Sequence, residues 1–292
     1  MIWARSTDLR SNWTMFFLAW KNRVARHGFA WKSVCWVGVA LWICGRPVGL
    51  AAGTNGAAGP LVIGLAEPGL ITGTLYEMGS HRAKEMFKFR RSATRDGANV
   101  RVEQLFSRPD GSVACREKIR YRNDQLVSYE IEDFGAGDRG SILIERDPKK
   151  PQQQRILMEH IRDQGAKIEN SVEVLQPNTL ISDTIYPFIL AHWDELAQGA
   201  AVKFHLISLD PPDTYGFRVT KDAETDWEGR PVTRIKMVPT NIIIARFIRP
   251  IYFLIETAAP HRVFSYTGRT TPQNKVDGAW KFVEAEAVFD WK

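Results

Sequence analysis

One segment in the middle of the chain, residues 179–199, carries a helix signal, whereas the segments on both sides of it resemble strands. Pro187 suits the first position of a helix, where its missing N–H costs nothing, and Gly199 suits the left-handed residue that ends a helix. The apolar and aromatic residues between them recur at helical spacing and form one broad face: Phe188, Ile189, His192, Trp193 and Leu196. In a chain of strands, the concave side of a curved sheet can cover such a face. We therefore predict a helix that plugs or covers a curled sheet.

Turn residues divide the rest of the sequence into antiparallel strand pairs. Asp96-Gly97 predicts a two-residue turn, because both positions of such a turn take positive φ. A turn centred there places Phe87 opposite Phe106 and Arg90 opposite Glu103, so aromatic rings and opposite charges meet across the strands.

The strand that follows this pair has a row of bases on one face: Arg116, Lys118, Arg120 and Arg122. A three-residue loop at 123–125 places Arg116 opposite Glu132 and Lys118 opposite Glu130, whereas a two-residue loop places these bases opposite apolar residues. We therefore predict the three-residue loop and a solvated face of paired charges. An anion-binding site is the functional alternative.

These patterns predict a mainly β fold for residues 71–292, in which about ten strands form a strongly curved antiparallel half-barrel. A β-sandwich is the alternative architecture. One or two helices cover the sheet, since residues 240–249 are ambiguous: Ile242 to Ile244 favour a strand, but Thr240-Asn241 and Pro250 are typical of the two ends of a short helix.

The net charge of +6 is concentrated in residues 1–52, which contain seven bases and one acid, while residues 53–292 contain as many bases as acids. A neutral body lacks the clustered bases that bind a phosphate backbone, so we expect no nucleic-acid partner. The bases near the start precede an apolar run at 34–43, and small residues follow it, as in a secretory leader. We predict a leader at 1–52, a flexible linker at 53–70 and a periplasmic protein. In the alternative, the leader stays uncleaved as an inner-membrane anchor and is the only membrane contact.

No catalytic or metal-binding motif is present in the sequence of the body, so we expect neither an enzyme nor a cofactor or metal. His160 has acidic neighbours but no second ligand at a useful spacing, and Asp210 and Asp213 flank two prolines in a turn. Of the three cysteines, only Cys115 lies outside the predicted leader, and we expect it to be an unpaired, inward-facing side chain.

The stretch from Ile251 to Glu256, a turn, and Val263 to Tyr266 resembles the late hairpin of exported proteins grouped near the LolA/LolB lipoprotein-carrier superfamily. At the level of architecture, the resemblance covers residues 71–291. It implies a half-open barrel whose concave side, covered by helices, takes an acyl chain or another apolar group.

We therefore expect a non-enzymatic periplasmic carrier of a lipid-like or other apolar ligand. The predicted ligand-binding residues all lie in the helical segment: Tyr186, Phe188, Ile189, His192, Trp193 and Leu196. An envelope scaffold or assembly protein that binds a protein partner is the alternative, and an enzyme acting on an envelope polymer is the third hypothesis.

Overall fold

The computed structural model describes residues 65–67, 69–162 and 165–291, so the predicted leader and the predicted linker up to residue 64 lie outside the described residues. The described chain forms fifteen strands and three helices. The strands are β1 (Leu70–Glu77), β2 (Glu85–Asp96), β3 (Asn99–Ser107), β4 (Val113–Arg122), β5 (Gln125–Asp133), β6 (Asp138–Asp147), β7 (Lys150–Arg162), β8 (Lys167–Val174), β9 (Thr179–Leu180), β10 (Ala201–Leu209), β11 (Pro212–Trp227), β12 (Arg230–Pro239), β13 (Ile251–Glu256), β14 (Val263–Val276) and β15 (Ala279–Asp290). The helices are α1 (Ser182–Ala191), α2 (Trp193–Ala197) and α3 (Ile242–Ala245).

All fifteen strands belong to one sheet, in which β1 lies in the middle. On one side of β1, strands β2 to β8 follow in chain order, and on the other side β15 to β9 follow in reverse order. Each pair of neighbours is antiparallel except β9 and β10, which are parallel and are joined through α1 and α2. The prediction of a mainly β chain with a curled sheet is confirmed.

The number of strands exceeds the predicted ten, and the strands form a single sheet where the alternative prediction had two. Strands also extend into segments rich in turn-forming residues, and one short strand lies in the predicted helical segment. Residues 138–140 and 150–154 are parts of β6 and β7 although Gly, Asp, Lys and Gln dominate them, and Thr179-Leu180 is a strand although we placed it in the helical segment. Pairing with a neighbouring strand outweighs the low strand propensity of such residues. In residues 240–249, the helical interpretation is correct, because α3 occupies 242–245.

The predicted register of the hairpin formed by β2 and β3 is wrong by two residues. Gly97 and Ala98 form the turn, so Asp96 pairs with Asn99 and Phe89, not Phe87, lies opposite Phe106. Of these two turn residues, only Gly97 has positive φ, at +57°, which suits the first central position of a type II′ turn. Because side chains alternate with a period of two, this shift leaves every residue on the predicted face of its strand.

The predicted pairs between β4 and β5 are correct, but the loop that produces them is different. Arg116 lies opposite Glu132 and Lys118 opposite Glu130, as the charges indicated. The turn nevertheless has only two residues, Asn123 and Asp124, both with positive φ. A bulge between Arg120 and Tyr121 supplies the extra residue on β5, and it changes the register by one position.

Helix α1 lies between the two halves of the sheet and packs against both. Its buried Phe188 and Ile189 belong to a core cluster with inward-facing residues of β10 to β14, such as Phe204 and Ile235. Ile181, which precedes the helix, belongs to a second cluster with residues of β3 to β7. A third cluster lies between β1 to β4 and β15 and contains Cys115, which is unpaired and buried as expected. Among the described residues, no helix is both long enough and apolar enough to cross a membrane.

The strongest polar connection between α1 and the sheet is the carboxylate of Asp183, whose side chain is 1% exposed. It accepts hydrogen bonds from Arg91 Nε at 2.6 Å, from Gln104 Nε2 at 2.7 Å and from the Tyr121 hydroxyl at 2.7 Å. These partners lie on β2, β3 and β4, so one side chain of the helix is bonded to three adjacent strands. Burial alone would lower the pKa of Arg91, but the Asp183 carboxylate outweighs it and raises that pKa above its usual value.

The two ends of the sheet approach each other, and side chains connect them. Asp210, in the turn between β10 and β11, forms an ion pair with Arg162 at the end of β7. On the next strand, β8, the Glu173 carboxylate accepts a hydrogen bond of 2.5 Å from the Thr214 hydroxyl of β11. We call these contacts the polar seam, because they connect the β7–β8 end to β10–β11.

The Asp183 contacts lead to a prediction about stability. Asp183→Asn should destabilise the fold by about 3–5 kcal/mol, since it removes the carboxylate that pairs with the buried Arg91 guanidinium. The matched control is Asp124→Asn, which removes the counter-charge of another β2 arginine, Arg95, in a partly exposed pair at 2.6 Å. That change should cost less than about 1 kcal/mol. Urea denaturation of the three proteins measures both costs, and equal costs would contradict the role given to Asp183.

Candidate functional site

The helical segment begins earlier than its sequence suggests. Helix α1 starts at Ser182, so Pro187 lies inside it and not at its first position. The start is fixed by Thr184, whose hydroxyl accepts a hydrogen bond of 3.0 Å from the N–H of Ile181. This contact is one half of a capping box, and it brings Asp183 onto the buried side of the helix. The predicted position of Pro187 is therefore wrong, although the helix itself is present.

The helical segment ends where it was predicted to end. After an interruption at His192, where φ is −111° and ψ is 21°, α2 continues to Ala197. Gly199 has φ of +86° and donates its N–H to the Leu196 carbonyl, while the N–H of Ala200 reaches the Glu195 carbonyl. These two bonds form a Schellman motif, which requires a residue in the left-handed conformation and so favours glycine.

The six predicted ligand-binding residues fall into two groups. Phe188, Ile189 and Leu196 are 0% exposed and pack in the core cluster against β10 to β14. Tyr186, His192 and Trp193 are half-buried, and they border this core from the solvent side. The first group is therefore the floor of the candidate site, and only the second group is directly accessible.

Half-buried rings from three parts of the chain meet beside the helices, and we call Tyr186, Trp193, His261 and Trp291 the aromatic rim. The indole of Trp193 stacks on the imidazole of His261 with ring centroids 4.1 Å apart. Tyr186 meets Trp291 edge to face at 6.1 Å, which is a favourable geometry for two aromatic rings. The rim therefore consists of two aromatic pairs beside the core, which the hydrogen bond from Tyr186 to the His261 carbonyl connects.

Hydrogen bonds to the backbone fix the orientation of the rim. The Tyr186 hydroxyl donates to the His261 carbonyl at 2.8 Å, and Trp291 Nε1 donates to the Val263 carbonyl at 2.6 Å. Burial raises the pKa of Tyr186 to about 12, so its hydroxyl is a donor at physiological pH. The polar atoms of both rings are thus bonded to the backbone of the β13–β14 hairpin.

Two members of the rim, His261 and Trp291, were not predicted from the sequence. His261 lies in the turn between β13 and β14, which was recognised only as a turn, and Trp291 lies just after β15. The contacts of both with the helices join residues that are far apart in sequence. His261 takes an unusual positive φ of 59° in the Ala-Ala-Pro-His turn, and no local sequence pattern indicated this conformation.

Besides the contacts of Asp183, a second group of polar side chains lies inside the curled sheet, around Glu117. This residue of β4 is 0% exposed, and neither of its carboxylate oxygens has a hydrogen bond of regular geometry within the described chain. Burial, together with the nearby Asp183 carboxylate, raises the pKa of Glu117 to about 8. The neighbouring hydroxyl groups of Thr271 and Tyr129 lower that pKa but do not offset burial. Glu117 is therefore largely protonated at neutral pH.

The predicted basic row lies on the outer face of the sheet, among acids. Arg116 and Lys118 line a cavity of about 390 Å³ that Glu130, Glu132 and Arg139 also border. Glu132 lies 3.5 Å from Arg139 on β6, and Glu130 lies 3.9 Å from Arg120. The interpretation as a face of paired charges is confirmed by these contacts, and the alternation of sign does not favour an anion site.

The other chemical groups singled out in the sequence have structural contacts. His160 is 6% exposed and accepts a hydrogen bond of 3.1 Å at Nδ1 from Arg162 Nε. Asp210 belongs to the polar seam, and Asp213 accepts a hydrogen bond from the N–H of Thr214. Within the described ranges, no three His, Cys, Asp or Glu side chains are grouped so that they could hold a metal ion.

The raised pKa of Glu117 leads to a prediction about pH dependence. Between about pH 4.5 and pH 8, the folded protein keeps a proton on Glu117 that the unfolded chain releases. The free energy of unfolding therefore falls by up to about 1.4 kcal/mol for each unit by which the pH rises. Glu117→Gln removes this pH-dependent contribution to stability, because glutamine does not titrate. We therefore expect the variant to gain stability relative to the natural protein as the pH increases from 5 to 8.

Chemical denaturation at several pH values tests this expectation. The control is Glu130→Gln on the neighbouring strand, because the side chain of Glu130 is 58% exposed. Its stability relative to the natural protein should change little with pH. Parallel pH profiles for Glu117→Gln and the natural protein would show that Glu117 is not held in its neutral form.

Comparisons with known proteins give a likeness at the level of structure. No protein-family model matches the chain, and no curated protein matches it in sequence. Among solved structures, the chain is similar to a β-barrel-like protein of the domain of unknown function DUF1849 from Brucella abortus, with 9% identity and a TM-score of 0.33. The match covers 76% of this chain and 95% of that chain.

Proposed function

We propose that this protein is a non-enzymatic carrier that binds a lipid-like or other apolar ligand at the aromatic rim. The observation that carries the proposal is the position of half-buried rings, Tyr186 and Trp193, directly above a fully buried apolar floor. The organisation of residues 1–52 supports an exported, periplasmic setting for this function.

The chemistry of the rim suits an acyl chain or a similar group. Ligand sites are lined mainly by apolar and aromatic side chains, with a few polar groups that fix orientation. At the rim, the stacked pair of Trp193 and His261 and the edge-to-face pair of Tyr186 and Trp291 offer ring surface. A bound alkyl chain would remove this surface from water, and the gain is proportional to the apolar area that it covers.

A lipid would enter most easily beside α2. This helix has only five residues, and Leu196 is its only buried side chain. The longer α1 has six buried residues, among them Asp183 with its four hydrogen bonds to the sheet. A small displacement of α2 therefore exposes more of the apolar floor and leaves the Asp183 contacts intact.

The proposal predicts that Trp193→Ala affects binding more than stability. Binding of a fluorescent fatty-acid analogue should weaken by about tenfold, since the ligand loses the indole surface. The variant should lose less stability than Phe188→Ala, for which truncation of a fully buried aromatic costs about 3–5 kcal/mol. Probe titration and thermal unfolding of the same samples measure the two effects.

The matched control is Trp280→Ala, which truncates a tryptophan that is 37% exposed and lies at the start of β15. Its probe binding should equal that of the natural protein. A Trp193→Ala protein that is destabilised like Phe188→Ala but binds the probe normally would make the rim purely structural and reject the carrier proposal.

A second candidate function, a scaffold or assembly protein that binds a protein partner, is favoured by the edge of the sheet. Strand β8 is at one end of the sheet order, and its outward side chains Ile168 and Val172 are 57% and 61% exposed. With Leu143 of β6, 43% exposed, they form an apolar outer face beside an edge strand. The polar seam connects β8 to β11 through Glu173, so a partner would cover this outward apolar face.

Photocrosslinking from a reactive residue placed at position 172 tests this second candidate in cells. A discrete adduct with a second polypeptide supports it, provided that the same reactive residue at position 118, on the charged outer face, gives none. If position 172 gives no adduct, the edge of β8 has no stable protein partner.

A further inference from the structure

The connection between β12 and β13 is the most apolar exposed segment of the described chain. We call residues 241–250 the apolar tip. Its large side chains are exposed to an extent that is unusual for such residues: Ile242 74%, Ile243 61%, Phe247 58% and Ile248 38%. Contiguous exposed apolar side chains of this kind mark a surface that contacts a partner or a membrane.

The tip is an ordered structure that holds these side chains outward. The Asn241 side chain caps α3 by accepting hydrogen bonds from the N–H groups of Ile243 and Ile244, at 2.9 and 3.3 Å. After the helix, the N–H groups of Phe247 and Ile248 both donate to the carbonyl of Ile244. Ile244 itself is half-buried, so the segment rests on one isoleucine and projects the others.

The charges of the tip all have one sign. Arg246 and Arg249 are its only charged residues, and both are exposed. The Arg249 side chain remains 74% exposed although it pairs with Glu284 of β15 at 3.0 Å. The tip therefore combines four exposed apolar side chains with two accessible guanidinium groups.

We infer that the apolar tip docks on the surface of an anionic lipid bilayer. Its apolar side chains would enter the boundary between headgroups and acyl chains, and Arg246 and Arg249 would meet lipid phosphates. Two features favour a bilayer over a protein. The tip is a convex turn of one short helix, which a fluid bilayer accepts without a complementary pocket, and its charge is complementary to anionic headgroups.

This inference goes beyond the expectation that the leader is the only membrane contact, and it does not depend on the aromatic rim. The tip precedes β13, whereas the turn that contains His261 follows it, so the two features lie at opposite ends of a six-residue strand. That separation is about 20 Å. Docking through the tip would leave the rim clear of the surface and open to a ligand.

Hydrogen–deuterium exchange of the full chain tests the inference, because it reports on the tip whether or not the leader also binds lipid. The full chain is mixed with vesicles of phosphatidylglycerol and phosphatidylethanolamine, and separately with vesicles of phosphatidylcholine. With the anionic vesicles, amides of residues 241–250 should exchange more slowly by about fivefold or more. Phosphatidylcholine vesicles should give a smaller effect.

Three variants show which side chains are responsible. In the double variant Ile242→Ser and Ile243→Ser, the protection of the tip should be lost. In Arg246→Gln, protection should decrease and become less sensitive to salt, because the remaining binding relies more on the apolar side chains. The matched control, Ile168→Ser with Val172→Ser, changes two apolar residues on β8 that are 57% and 61% exposed, and it should retain full protection of the tip. Circular dichroism and thermal unfolding confirm that each variant is folded.

Several outcomes would overturn the inference. The first is sedimentation of the protein with vesicles while the tip exchanges at its rate in free solution, which would assign binding to the leader alone. The second is protection that appears without lipid and grows with protein concentration, which would identify a second copy of the chain as the partner. The third is equal protection in the Ile242→Ser, Ile243→Ser variant and the natural protein.

Discussion

The carboxylate of Asp183 connects the helix to the sheet and determines how the two halves of the sheet are arranged. A buried charge is tolerated only when it is paired and its remaining lone pairs accept hydrogen bonds. Arg91, Gln104 and Tyr121 meet this requirement from three adjacent strands. Since the same helix packs Phe188 against strands on the other side of β1, its position is fixed from both halves. The sheet can therefore curl around the helix in only one way.

The curled sheet also explains why polar side chains connect its two ends. In a barrel closed by backbone pairing, every strand is bonded to two neighbours and the inside is free to be apolar. Here β8 and β9 are the ends of the sheet order, and side-chain contacts such as Arg162 with Asp210 connect the regions near them. Polar contacts near the two ends of the sheet are the consequence of this type of closure. Glu117 of β4 lies away from these ends, and its complete burial raises its pKa.

The sequence predicts the helix, its end and the charge pairs of β4 and β5, but it misses the exact hairpin turns and the features that depend on tertiary contacts. The helix and its end at Gly199 follow from spacing and from left-handed glycine geometry, and the pairs of Lys118 and Glu130 follow from charge. The start of the helix was missed because the preference of Pro187 for a first turn is weaker than the burial of Asp183. The partners of Trp193 at the rim were missed for a related reason. His261 is distant in sequence, and no periodicity connects it to the helix.

The position of β1 has a consequence for the order in which the protein folds. The strands from β2 to β8 pair with their neighbours in sequence, and so do those from β10 to β15, so each half can form from local hairpins as soon as its residues are available. The two halves meet at the pairing of β1 with β15, from Thr72 with Asp290 to Glu77 with Ala285, which joins the most distant described strands. Closing so long a loop is entropically costly and slow. The chain therefore has two early hairpin arrays and one late step, and until that step the unpaired edges of β1 and β15 are open to association with other chains.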